Sequence, residues 1–136
     1  MPKNKILIVE DEPVIRDLCA KIMGSHGFES IVAVNGVEGL AVYQQRHEEI
    51  CLILSDVTMP LMGGIELTRK LFEMDCHPNV ILMSGYSLSD IVPDEVRRLC
   101  CVINKPFSAS RLLEAVRKCL KYDSEHHSSA NGGGVQ

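Results

Sequence analysis

Five short apolar runs punctuate the first 105 residues: ILIV at 6–9, IVAV at 31–34, CLIL at 51–54, VILM at 80–83 and CVI at 101–103. Each is apolar at consecutive positions, the pattern of strands covered on both faces, as those of parallel sheets are. Parallel neighbours need long crossovers, and helix-like stretches occupy the gaps. The first starts at Pro13, allowed in a first helical turn. It continues through Val14, Ile15, Leu18, Cys19, Ile22 and Met23 at helical spacing, with Gly27 to stop it. Others run over 37–46 after the turn signal Asn35-Gly36, and over 65–72 after Gly63-Gly64. The last runs over 108–120, with Ser108 as a candidate N-cap and Leu112, Leu113, Val116 and Leu120 as a buried stripe. Between Ser87 and Leu99, Pro93 removes a helix hydrogen bond, so a short or displaced helix is expected there. Strand and helix in alternation predict a doubly wound α/β fold.

A chain of 136 residues has room for one such domain, not two. The domain is expected over 1–120. The remainder, 121–136, is rich in Ser, Gly and His and reads as a flexible C-terminal tail, in which His126-His127 have no visible third metal ligand. With 46% apolar and 24% charged residues, a chain disordered throughout is excluded. The net charge of −4 supplies no positive field for direct DNA binding or for an anionic membrane. No apolar run approaches the roughly 18 residues of a membrane span, and MPKNK lacks a signal-peptide pattern, so a cytoplasmic location is expected. The six cysteines form no CxxC pair, and Cys51, Cys100, Cys101 and Cys119 lie in or beside apolar runs. They are expected to be buried, reduced thiols in place of disulfides or a zinc site.

The residues that carry chemistry stand at the ends of these runs. ILIV leads into Glu10-Asp11, CLIL through Ser55 into Asp56, VILM into Ser84, and CVI through Asn104 into Lys105. In open α/β sheets the ligand crevice lies outside the carboxyl ends of the strands, so these five residues should converge. The second run leads only to Asn35-Gly36, which fits the five-stranded order 2-1-3-4-5 with that strand at an edge. Three carboxylates in one crevice repel one another more than a single lysine offsets, which implies a hard divalent cation such as Mg2+. Asp11 and Asp56 are candidate direct ligands, with Glu10 nearby through water. A phosphoryl group would then meet positive charge from the ion and from Lys105, and the Ser84 hydroxyl could donate to a further oxygen. Asp56, alone at the end of the central strand, is the candidate nucleophile toward phosphorus. Singly, each piece has an ordinary reading: an acidic helix start, a turn serine, a surface Lys-Pro. Their ordered combination has no simple structural explanation.

IVEDEP at 8–13, SDVTMP at 55–60, MSGYS at 83–87 and NKPFS at 104–108 resemble, in order, the four signature regions of the receiver domain of two-component response regulators. The likeness spans residues 4 to about 120 and implies a flavodoxin-like fold. It makes Asp56 the phosphorylation site, Glu10 and Asp11 the acidic pair for Mg2+ (with Mn2+ as a substitute), and Thr58 a metal ligand through its backbone carbonyl. It makes Ser84 the switch hydroxyl and Lys105 the phosphate-binding lysine, and it implies a cis peptide between Lys105 and Pro106. The catalytic set it implies is therefore Asp56, Lys105 and Ser84. Thr58 and Tyr86 occupy the positions that tune phosphoryl lifetime in that family, and a bulky Tyr86 implies slow hydrolysis. Two departures lie on the face through which many receivers signal. Val102 stands where the family's switch aromatic would be, and Arg98-Leu99 with the paired cysteines replaces Gly-Ala before the fifth strand.

The partners so implied are a histidine kinase or histidine phosphotransfer protein as donor, and a separate output protein or parent chain as receiver of the signal. The style of MSGYS and SRLLEAVRKCL is similar to receivers of hybrid sensor kinases and of single-domain regulators. A monomer or a phosphorylation-linked dimer is expected. Two other readings use the same residues: a receiver-like interaction module that is never phosphorylated, and a Mg2+-dependent aspartyl-phosphate phosphatase. The latter places its nucleophile in a D-x-D motif after the first strand, which EDE at 10–12 does not supply.

Overall fold

The structure is a computed structural model that describes residues 3–85 and 91–130, with side chains through residue 120. Five strands, β1 (Lys5–Val9), β2 (Glu29–Ala33), β3 (Ile50–Asp56), β4 (Val80–Ser84) and β5 (Cys101–Asn104), form one parallel sheet in the order β2-β1-β3-β4-β5. All five apolar runs are strands, and the order is the predicted one.

Alternation of side chains across the pleat divides the core into two layers. Leu7, Val9, Ile53 and Leu82 face α2 (Gly36–Arg46), α3 (Gly64–Glu73) and the short α4 (Asp94–Arg97), where they meet Tyr43, Leu67, Leu71 and Val96. Ile6, Ile8, Leu52, Leu54, Ile81 and Met83 face α1 (Pro13–Gly24) and α5 (Ala109–Ala130), where they meet Cys19, Met23, Leu112 and Val116. The runs are apolar throughout because both faces are covered. β2, at the edge, is only partly buried, and Val32 remains 47% exposed.

The helix ends have local causes. Asn35 caps α2 by accepting from the Glu38 N–H at 2.9 Å, while the Glu38 carboxylate accepts from the Val34 N–H at 2.7 Å. After α1 the chain turns at Gly27, whose φ of +90° is one that glycine adopts without strain. Pro93 occupies the N-cap of α4, so its missing N–H costs nothing, and the helix behind it is short as expected. The Ser108 hydroxyl accepts from the Arg111 N–H at 3.0 Å and starts α5. That helix corrects one expectation, since it passes Leu120 and continues to Ala130. The apolar stripe stops at Leu120, but KYDSEHHSSA contains neither proline nor glycine, and the first breakers are Asn131 and Gly132. The rest of the expected tail, 131–136, lies outside the described residues. No helix among the described residues is long and apolar enough to cross a membrane.

All six cysteines are free. Only Cys19 is fully buried. Cys51, Cys100, Cys101 and Cys119 are half-buried, packed against the outer parts of the two core clusters, so full burial was overestimated for these four.

Candidate functional site

The carboxyl ends of β1, β3, β4 and β5 deliver the site. Glu10 comes directly after β1 and is wholly buried. Its backbone is held from two sides, by its own N–H donating to the Ala33 carbonyl at 3.0 Å and by Arg16 donating from Nη1 to its carbonyl at 2.9 Å. Asp56 is the last residue of β3 and 7% exposed. Asp11 is the most open of the three acids. Carboxylate oxygens of Glu10, Asp11 and Asp56 all lie within 4.8 Å of one another.

Lys105 closes the group. Its Nζ donates to Asp56 Oδ2 at 3.0 Å and to Glu10 Oε1 at 3.3 Å. The lysine is placed by its own N–H, which donates to the Ser84 carbonyl at 2.8 Å, and its peptide to Pro106 is cis. Ser84 is buried at the end of β4. Asp56 is in register with Met83, which puts Ser84 one step beyond it, and Ser84 is in register with Asn104. Thr58 is exposed and donates its N–H toward Asp56 Oδ1 at 3.4 Å. The five residues predicted to converge therefore line one end of the sheet. Val102 is a half-buried β5 residue in register with Leu82, away from the carboxylates. Tyr86 lies outside the described residues.

Crowding of these groups sets the electrostatics. Burial, reinforced by the neighbouring Asp56 charge, pushes the Glu10 carboxyl up to about 7 against the opposing pull of Lys105 and the Glu12 N–H. For Lys105, burial alone would lower the ammonium, but Asp56 and Glu10 outweigh it, and the group stays firmly protonated. One fixed cation among three carboxylates leaves an excess of negative charge. An all-oxygen donor set of this kind fits a hard divalent ion, whose binding would let Glu10 ionise.

Sequence reasoning missed the supports around the acids. Gly63 and Gly64 begin α3 against the β3 end. A Cβ on Gly64 would strike the Asp56 carbonyl and come within 2.8 Å of Leu82 Cδ2 and 2.9 Å of Ser55 Oγ. The paired glycines were visible, but only as a turn signal. Arg16 carried no mark in the sequence, because its role depends on where α1 lies. Also missed was an apolar groove of about 350 Å³ beside Lys105, lined by Ile15, Leu18, Pro106 and Phe107.

The family model of the response regulator receiver domain matches residues 6–117, a span that includes every one of these acids, Ser84 and Lys105. The chain is 32% identical over 119 residues to the chemotaxis protein CheY of Bacillus subtilis (strain 168), covering 86% of this chain and 98% of that one. It is 31% identical over 126 residues to sporulation initiation phosphotransferase F of the same organism, covering 91% of this chain and 99% of the relative. Among solved structures, a chain of the CheX-CheY-BeF3-Mg+2 complex from Borrelia burgdorferi superposes with a TM-score of 0.78 at 28% identity. That match covers 84% of this chain and 87% of that one. With the parallel sheet order and the acidic end of the sheet, these matches make the chain a member of the response regulator receiver domain family.

Proposed function

We propose that this receiver domain accepts a phosphoryl group on Asp56 from a phosphohistidine, and that the change at the sheet end is read by a separate output protein or by a parent chain. The observation that carries the reading is the contact of Lys105 Nζ with both Asp56 and Glu10, inside a group of three carboxylates. Glu10, Asp11, Asp56 and the backbone carbonyl of Thr58 are the residues that would hold a divalent cation, Mg2+ or Mn2+. Bound there, it would supply positive charge against the phosphoryl oxygens.

An Asp56 carboxylate oxygen forms the bond to phosphorus while the bond from phosphorus to the donor imidazole nitrogen breaks, its electron pair leaving with the ring. Lys105 is pre-placed to track the charge from the carboxylate onto the transferred group, at no cost of reorganisation. The buried Ser84 hydroxyl lies one register step away, as a donor to a further phosphoryl oxygen. Val102 stands in the place of an aromatic switch, so the switch role falls on the Ser84 hydroxyl itself.

The groove of Ile15, Leu18, Pro106 and Phe107 beside Lys105 suits an apolar surface on a protein donor. Val14 at 79% and Leu18 at 48% exposure extend it along α1. A histidine kinase or histidine phosphotransfer protein fits this better than a small metabolite alone would. With such donors the chain works in the cytoplasm, as a monomer or as a dimer linked to phosphorylation.

Incubation with Mg2+ and acetyl phosphate, and then intact-mass measurement, tests the reading. Wild type should gain one phosphoryl group, Asp56→Asn none, and a chelator should abolish the gain. No adduct with acetyl phosphate or a phosphorylated histidine protein would leave the domain as an unphosphorylated interaction module.

A further inference from the structure

A cavity of about 380 Å³ lies at the end of the sheet opposite the acids, beneath the amino ends of β1, β2, β3 and β4. Its walls come from both core layers. Tyr43 and Ile50 belong to the layer under α2 and α3, and Phe28 and Leu120 to the layer under α1 and α5. β3 carries Ile50 at this end and Asp56 at the other. At about 3.3 Å per residue the strand holds the two ends roughly 20 Å apart, so the acidic site makes no use of the cavity.

Tyr43 distinguishes this space from a gap in the packing. The residue is only 7% exposed, yet its hydroxyl has no hydrogen-bond partner among the described residues. A buried tyrosine ordinarily finds one. Burial pushes the phenol up, so it keeps its proton and remains a donor. Asn79, which also lines the cavity, donates once from its amide, to the Cys51 carbonyl at 3.3 Å, and has a second N–H to give. Lys3, exposed at the chain's entry to β1, supplies an ammonium, and no Asp or Glu is in the described lining. The carboxylates adjoining the lining in the chain are engaged elsewhere, Glu29 with Lys5 at 2.7 Å and Glu49 with Arg46 at 3.0 Å. What the cavity offers is therefore apolar walls, neutral donors and one positive charge.

We propose that this cavity is a binding site for a small organic acid, a monocarboxylate with an aromatic or branched apolar body. The Tyr43 hydroxyl and the second Asn79 N–H donate to the ligand's oxygens, and Lys3 offsets its single charge. Phe28, Ile50 and Leu120 cover the body. A phosphate dianion would leave a charge unmatched and has nothing for the apolar walls to cover. An amine would meet like charge at Lys3 with no carboxylate to offset it. The volume falls within the range of about 300–1,000 Å³ common to small-molecule sites.

The test is a titration of the full, unphosphorylated chain with phenylacetate in the absence of Mg2+, followed by two-dimensional amide NMR. Phenethylamine, a cation of similar shape, is run alongside. Phenylacetate should shift the signals of Phe28, Tyr43, Ile50 and Asn79 saturably, with millimolar or tighter affinity, and phenethylamine should not. Tyr43→Phe should weaken phenylacetate about tenfold, the usual loss for a hydrogen bond to a charged group. Lys3→Glu, at an exposed position, should weaken it several-fold. Tyr43→Phe should also unfold at the same urea concentration as wild type or a higher one, because the hydroxyl it lacks has no partner among the described residues; a lower midpoint would make that hydroxyl a structural bond and overturn the proposal. So would absent shifts, equal shifts from phenethylamine, shifts gathered around Lys105, or unchanged affinity in Tyr43→Phe. With neither metal nor phosphoryl donor present, the outcome is independent of phosphorylation at Asp56.

Discussion

Lys105 holds two acids that lie 49 and 95 residues away along the chain. Removing one pre-placed donor of this kind commonly costs roughly 100-fold in rate. Lys105→Ala should therefore slow phosphoryl gain from acetyl phosphate by about that factor while the fold persists, as tracked by mass against time. Glu10 makes a second prediction, through its proton. Its carboxyl is raised from 4.5 to about 7, so the folded chain retains a proton that the unfolded chain releases. The stabilisation is complete below about pH 4.5 and is lost as pH rises through 7. With chelator present, the unfolding free energy from urea titrations should fall over that window by an amount on the order of 3 kcal/mol. Glu10→Gln should flatten the fall, and Mg2+ should restore stability above pH 7. Asp56 and Lys105 were legible because each stands just past an apolar run. That Glu10 is fully buried and shares the lysine was not, since burial depends on Ala33 and Arg16 closing over it.

At the scale of elements, the start of α3 is pressed against the end of β3. Gly64→Ala would drive a methyl into the Asp56 carbonyl, and overpacking of this kind costs about 1–3 kcal/mol. Thermal unfolding should show that loss. Phosphoryl gain should fall too, because the carbonyl that must give way belongs to Asp56, the proposed phosphoacceptor. Gly24→Ala, where a Cβ would meet nothing within 4 Å, is the control and should cost neither. Strands were read within a residue or two from runs that are apolar at every position, and α4 from the position of Pro93. The end of α5 was misplaced by ten residues because an apolar stripe marks where a helix is buried, whereas a helix ends where its breakers stand. The glycines of α3 looked like a turn because their second use, close approach of two backbones, exists only after β3 and α3 are packed.

Over the whole molecule, stability rests on a central sheet sealed on both sides. Leu54 of β3 is fully buried, and Leu54→Ala should cost about 2–5 kcal/mol. Val32 of β2, 47% exposed at the edge, should cost under about 1 kcal/mol when changed to Ala. Chemical denaturation of the two variants checks the asymmetry, and equal losses would contradict the strand order. By itself the sequence determined the alternation of strand and helix, the edge position of β2 and the set of groups at the strand ends. All of these come from hydrophobic period and from the rule that a parallel sheet gathers its carboxyl ends. Tertiary structure alone decided the buried state of Glu10, the bridge that Lys105 makes between two acids and the groove beside it. Those are contacts between residues far apart in the chain, and the depth and charge around each are set by neighbours that only folding supplies.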